Sequence, residues 1–294
     1  FRSKGCTKTP MVCLCISGAL KLAMNLLLVV LFRLGVAGLA LSTVIANAAS
    51  AAMLIGILHR RDDEIHFPFK LQKLDKNCIL QILRIGLPSS FLGSVFSISN
   101  LCVQAAINSL GTDVMAASSA AVNIEIYIQF FGNAFAQAAT TFTSQNYGAG
   151  RLERLHKITL SALILCNIAT VSLSFVSFGF AKPLLRIFVT DSAVIALAIV
   201  RMKNTLLFKP VQAVMDIMSG CLQGYEFTLV PAIISAFTVC GIRLLWVYTV
   251  FDRSRTLETL MSIYPITQGL AAVSHSICYL LLVRKIKKVG VSVT

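Results

Sequence analysis

Two carboxylates, Glu125 and Asp216, stand inside long apolar stretches of this 294-residue sequence. A charge at membrane depth costs roughly 2.5–3.5 kcal/mol or more, so each needs a compensating role. One role is coupling: a carboxylate in a wet intramembrane cavity can take up and release a proton, or ligate Na⁺. The other is an ion pair with an intramembrane cation, for which Lys21, Arg84, Arg201, Lys203, Lys209 and Arg243 are available. Lys209 precedes Asp216 by seven residues, on the same helix face but two turns away, so Arg243 on the next stretch is the expected partner. Pro210 deletes a backbone hydrogen bond and should kink this helix, as in the broken helices that line intramembrane cavities.

Glu125 also heads a polar ridge at four-residue spacing, Glu125, Gln129, Asn133, Gln137 and Thr141. Asn100, Gln104 and Asn108 repeat the pattern on the preceding stretch. Two such ridges facing each other would line a wet cavity, with Tyr127, Phe130, Phe131 and Phe135 offering aromatic faces to a cationic ligand. The competing use of each single amide is hydrogen bonding between helices. His275, between Ser274 and Ser276, is either a proton relay or a hydrogen-bonded packing residue. Trp246 and Tyr248 have the position of interfacial anchors.

These side chains need a membrane scaffold. Hydrophobic residues make up 56% of the chain and charged residues 13%, too few charges to clothe a water-soluble fold. Eight stretches reach the roughly 20 apolar residues of a membrane helix: 10–32, 36–58, 79–108, 112–142, 156–180, 193–222, 228–251 and 258–283. The expected fold is therefore all-α and polytopic. The net charge of +14 could suggest nucleic acid, but Lys and Arg gather in short segments between apolar runs, the pattern of cytoplasmic loops. Arg2, Lys4 and Lys8, five basic residues across 60–76, Arg151, Arg154 and Lys157, and four across 284–288 all fall on one side, which places both chain ends in the cytoplasm.

The remaining chemistry is sparse. Nine cysteines contain no C-x-x-C pair and read as small buried residues. The four histidines lack ligand spacing, and no nucleophile elbow or H-E-x-x-H is present, so neither an enzyme nor a metal or cofactor protein is expected. The loop Asn146-Tyr147-Gly148-Ala149-Gly150-Arg151 follows a membrane helix instead of a strand and reads as a tight turn, not a phosphate cradle.

Several strings carry a family resemblance: Ile85-Gly86-Leu87-Pro88-Ser89, Gln104-Ala105-Ala106-Ile107-Asn108, Ala120-Ala121-Val122-Asn123-Ile124-Glu125, and the Gln145-Asn146-Tyr147-Gly148-Ala149-Gly150 turn. Together they resemble the first hairpin of the C-terminal lobe of bacterial multidrug and toxic compound extrusion (MATE) transporters. Gly35-Val36-Ala37-Gly38-Leu39-Ala40 resembles the end of that family's N-terminal lobe, and Cys240-Gly241-Ile242-Arg243 with Tyr264-Pro265-Ile266 its final hairpin. The resemblance implies a plasma-membrane transporter of twelve spans in two six-helix lobes, exchanging H⁺ or Na⁺ inward for cationic or amphipathic drugs outward by alternating access.

On that reading the chain holds spans five to twelve. Residues 1–58 are the last two helices of the N-terminal lobe, 59–78 the cytoplasmic inter-lobe loop, 79–288 a complete six-helix C-terminal lobe and 289–294 a cytoplasmic tail. Such a fragment lacks the first-span Asp of many bacterial members and is expected to be inactive alone. Asp216 falls on the equivalent of the tenth span, whose acid joins a cation site in some members, with Gln212 one turn earlier as the alternative match. Residues 85–108 contain no Asp or Glu to complete that site. The alternatives are a lipid-linked oligosaccharide flippase of the same superfamily, which the cations Lys21, Arg201, Lys203, Lys209 and Arg243 would suit, and a non-transporting remnant.

Overall fold

The computed structural model describes residues 1, 5–60 and 75–291. Most of the polar connection 59–78 and the end of the tail, with Arg2, Lys4, Lys70 and Lys73, lie outside the described residues, as does the side chain of Arg84. The chain divides into two compact units, Phe1–Cys78 and Ile79–Thr294.

The first unit is a helix pair, α1 (Lys8–Leu31) and α2 (Gly35–His59). α1 ends in a π-helical turn, Leu26–Leu31. α2 lies hard against that turn because Gly38 has no side chain: a Cβ there would stand 3.1 Å from the Leu28 carbonyl. Ser42 hydrogen-bonds Asn25 across the pair, a polar link of the kind that substitutes for hydrophobic attraction between membrane helices.

The second unit contains α3 (Lys76–Asn108), α4 (Thr112–Gly148), α5 (Leu152–Gly179), the short α6 (Ala181–Arg186), α7 (Ser192–Leu206), α8 (Lys209–Gly224), α9 (Leu229–Ser254) and α10 (Leu257–Arg284). Six helices among the described residues are long and apolar enough to cross a membrane: α1, α2, α4, α5, α9 and α10. The chain is thus a multi-pass helical membrane protein.

One expected span is two helices. Over 193–222 the chain forms α7 and α8, separated at Leu207 and Phe208. Pro210 takes the first turn of α8, where its missing N–H leaves no helical bond unmade. The sequence signal for a kink therefore resolves as a break one residue before Lys209.

Close packing organises the second unit around α8. It packs against α4, α5 and α10. Gly220 and Gly224, one turn apart, let α8 touch the α4 backbone: Cβ atoms there would meet Ala136 O at 2.8 Å and Thr143 Cβ at 2.7 Å. This is the small-xxx-small contact of membrane helices. Below it, Thr159 bonds Tyr279 at 2.9 Å and approaches Cys221 Sγ at 3.4 Å, tying α5, α8 and α10. Cys13, Cys166, Cys221 and Cys240 are buried free thiols. At the end of α4, Gly150 adopts φ +69° and Arg151 N–H returns to Asn146 O at 2.9 Å, the tight turn read from the sequence.

Candidate functional site

α4 supplies one wall of the site, and the order of its residues decides what each can reach. Glu125 is 8% exposed. Its Oε1 accepts from Arg201 Nε at 3.3 Å and from Thr205 Oγ1 at 2.7 Å, both on α7. The carboxylate is thus paired and hydrogen-bonded, the arrangement that makes a buried charge tolerable.

One turn on, Gln129 begins an amide network centred on an ammonium. Lys209, 9% exposed, donates from Nζ to Gln129 Oε1 at 2.9 Å and Gln212 Oε1 at 3.0 Å. Gln212 Nε2 donates to Gln129 Oε1, Gln268 Nε2 donates to Gln212 Oε1, and Gln129 Nε2 donates to Asn133 Oδ1. The break before α8 puts Lys209 at this crossing: it is the first residue of a new helix, aimed at α4.

Beside the network lies a cavity of about 600 Å³, within the roughly 300–1,000 Å³ typical of small-molecule sites. Its wall includes Asn100 of α3, Gln129 of α4, Gln212, Asp216, Ser219 and Gln223 of α8, Ser235 and Arg243 of α9, and Gln268 of α10. Asp216 has no hydrogen bond or ion pair among the described residues. Its Oδ2 faces Gly132 of α4, where a Cβ would stand at ordinary contact distance, 3.9 Å.

The expected pairing of Asp216 with Arg243 does not form. Arg243, 7% exposed, donates from Nη1 to Asn100 Oδ1 at 3.3 Å and stacks 4.6 Å over the Tyr264 ring. Lys209 likewise pairs with amides instead of a carboxylate, because Gln129 and Gln212 lie nearer than an acid two turns along its own helix. The cation that does pair is Arg201. Arg243 Nε and Gln268 Oε1 remain buried with no partner among the described residues.

The other expected cavity residues divide. Asn100, Gln129 and Gln212 line the cavity, and Asn133 adjoins it through Gln129. Gln104 and Asn108 do not; they bond each other at 2.9 Å along exposed α3. Gln137 is exposed and outside it. Tyr127, 67% exposed, lines a separate apolar recess with Phe131, Leu173 and Leu184. Two residues from Glu125 is about 200° around a helix, so the wheel itself excludes Tyr127 from the ridge. His275 is fully buried, with Nδ1 2.6 Å from Ala271 O and Nε2 3.1 Å from Pro231 O and 3.4 Å from Ser235 Oγ. It ties α10 to α9 behind a cavity-lining serine.

Sequence reasoning missed Ser219 and Gln223, although they continue Gln212 and Asp216 at four- and three-residue steps along one face of α8, and it missed Ser235 and Gln268, polar residues on α9 and α10. It also missed Gly220 and Gly224, for which the signal was present as a G-x-x-x-G string.

Two family models match the chain: MatE over residues 88–249, and the lipid II flippase MurJ over residues 1–87. Among curated proteins, the "Probable multidrug resistance protein YoeA" of Bacillus subtilis is 26% identical over 253 residues, covering 82% of this chain and 54% of that protein. The "Probable multidrug resistance protein NorM" of Thermotoga maritima is 26% identical over 254 residues, covering 83% and 53%. The chain spans about half the length of these relatives. A solved MOP superfamily transporter from Pyrococcus furiosus, described as having a binding pocket of reverse polarity, superposes with a TM-score of 0.83 at 19% identity, over 94% of this chain and 63% of its own. That likeness establishes the fold. The MatE model takes in more than half of the chain, and with it the cavity wall from Asn100 to Arg243: the chain belongs to the MATE family of transporters.

Proposed function

We propose that the second unit is the C-terminal lobe of a secondary active multidrug transporter, and that Asp216 is its coupling residue. The observation that carries this reading is a carboxylate on the wall of a cavity of about 600 Å³, with no ion pair or hydrogen bond among the described residues. An unpaired acid is free to exchange its counter-charge between H⁺ or Na⁺ and a cationic or amphipathic drug, so that binding of one expels the other. Glu125 serves differently. Its pair with Arg201 and bond to Thr205 fix α7 on α4, and its charge is already spent. Antiport driven by an ion gradient across the plasma membrane, with both ends of this chain on the cytoplasmic side, is the resulting activity of the complete gene product.

A second reading has a specific observation behind it. With Arg201 neutralised by Glu125, the lobe interior still holds Lys209 and Arg243 against Asp216, and residues 1–87 match the lipid II flippase model. A lipid-linked pyrophosphate would suit that excess of positive charge.

The experiment expresses the complete gene product in an efflux-deficient bacterium and follows ethidium export while the H⁺ and Na⁺ gradients are collapsed separately. Loss of export with one gradient supports antiport. Export indifferent to both would sink it, and flipping of a fluorescent lipid-linked pyrophosphate without drug export would select the second reading.

A further inference from the structure

The turn at Gly150 leaves a groove between α4 and α5 with a volume of about 910 Å³. It shares no residue with the polar cavity. Its two ends differ in chemistry. At the turn it is bordered by Arg151, Arg154 and Lys157, all exposed; deeper in, its walls are Phe135, Phe142 and Leu165. Three-residue spacing keeps the three cations within about a third of the helix circumference, so they converge on one rim. None has an ion-pair partner among the described residues, and Glu153, on the same turn, does not border the groove.

The cations sit at the N-terminal end of α5, the positive end of its helix dipole. They also mark where the apolar part of α5 begins, which is the membrane surface. Phe142 and Leu165 are 54% and 55% exposed, so their outer faces would meet acyl chains. A basic rim above an apolar groove between membrane helices matches the two ends of an anionic phospholipid.

We propose that this groove binds one anionic phospholipid, its phosphate among Arg151, Arg154 and Lys157 and an acyl chain along Phe135, Phe142 and Leu165. A soluble anion would use the rim and leave the apolar walls at Phe135, Phe142 and Leu165 uncovered. A zwitterionic lipid would fill the groove and gain little from the rim. The combination selects net negative charge on a lipid.

The test is native mass spectrometry of the chain purified in detergent, titrated with phosphatidylglycerol or phosphatidylcholine. One phosphatidylglycerol should be retained on the order of tenfold more strongly than phosphatidylcholine, and R151Q/R154Q/K157Q should erase the preference. Glycerol 3-phosphate should not displace the lipid. In the unaltered protein, a photoactivatable phosphatidylglycerol should label peptides containing Phe142 and Leu165, which keeps the proposal testable should the triple variant fail to fold. Equal retention of both lipids, an unaltered preference in a folded triple variant, displacement by glycerol phosphate, or labelling confined to other helices would each overturn it.

Discussion

Replacing Glu125 by Gln should damage the fold, not only transport, and the size of the effect follows from the geometry. The Arg201 guanidinium lies 3.3 Å from the carboxylate, and at an effective dielectric of about 20 their attraction is roughly 5 kcal/mol. An amide keeps an oxygen for Thr205 but leaves Arg201, 5% exposed, as a buried charge without a counter-charge. Breaking such a pair from one side typically costs about 3–5 kcal/mol, whereas replacing both partners is far milder. Glu125→Gln and Arg201→Gln should therefore each depress thermal unfolding in detergent by on the order of 10 °C. The double variant should recover most of that loss, giving a coupling energy of about 2 kcal/mol or more. Unfolding can be followed by a thiol-reactive fluorophore, since Cys166, Cys221 and Cys240 are buried and become reactive only when the helices separate. Additive losses in the double variant, or an unaltered melting curve for Glu125→Gln, would refute the structural role assigned to the pair.

Contacts of the same unit set three further outcomes. Gly220→Ala or Gly224→Ala places a methyl group under 3 Å from the α4 backbone or Thr143, and each should cost about 1–3 kcal/mol, read as a lower melting temperature or folded yield. Lys209→Met removes a buried ammonium together with its desolvation cost, while Gln212 goes on donating to Gln129 at 2.6 Å. The melting temperature should thus hold within about 5 °C, and drug affinity should change because the cavity loses a positive neighbour. Asp216→Asn breaks no bond among the described residues, so it should leave melting within about 2 °C of the parent while abolishing gradient dependence.

Reading the sequence reached some of this and missed the rest for identifiable reasons. Apolar length located six helices able to cross a membrane, because a bilayer demands a run of fixed size whatever the helices pack against; the expected spans 79–108 and 193–222 are not among those six. The Gly150 turn was legible because a left-handed φ acts within one turn, and Pro210 marked the right place but as the start of a new helix where a kink inside one was expected. The partners of the charges were not. Arg201 follows Glu125 by 76 positions and Arg243 follows Asn100 by 143; which cation meets which acceptor depends on how helices are rotated and slid against one another. That register is set by contacts such as Gly220 and Gly224 on α4, which sequence spacing names without orienting. Tyr127 is the opposite case, since its position two residues from Glu125 already turned it away from the ridge.

On the proposed function, Asp216 and not the paired Glu125 carries coupling. The most direct test is ion-gradient-driven ethidium uptake into proteoliposomes holding the complete gene product, compared for the parent, Asp216→Asn and the Glu125→Gln/Arg201→Gln double variant. Gradient-driven uptake should vanish in Asp216→Asn and persist in the double variant. Uptake by Asp216→Asn at the parent rate, with the same dependence on the gradient, would remove Asp216 from coupling.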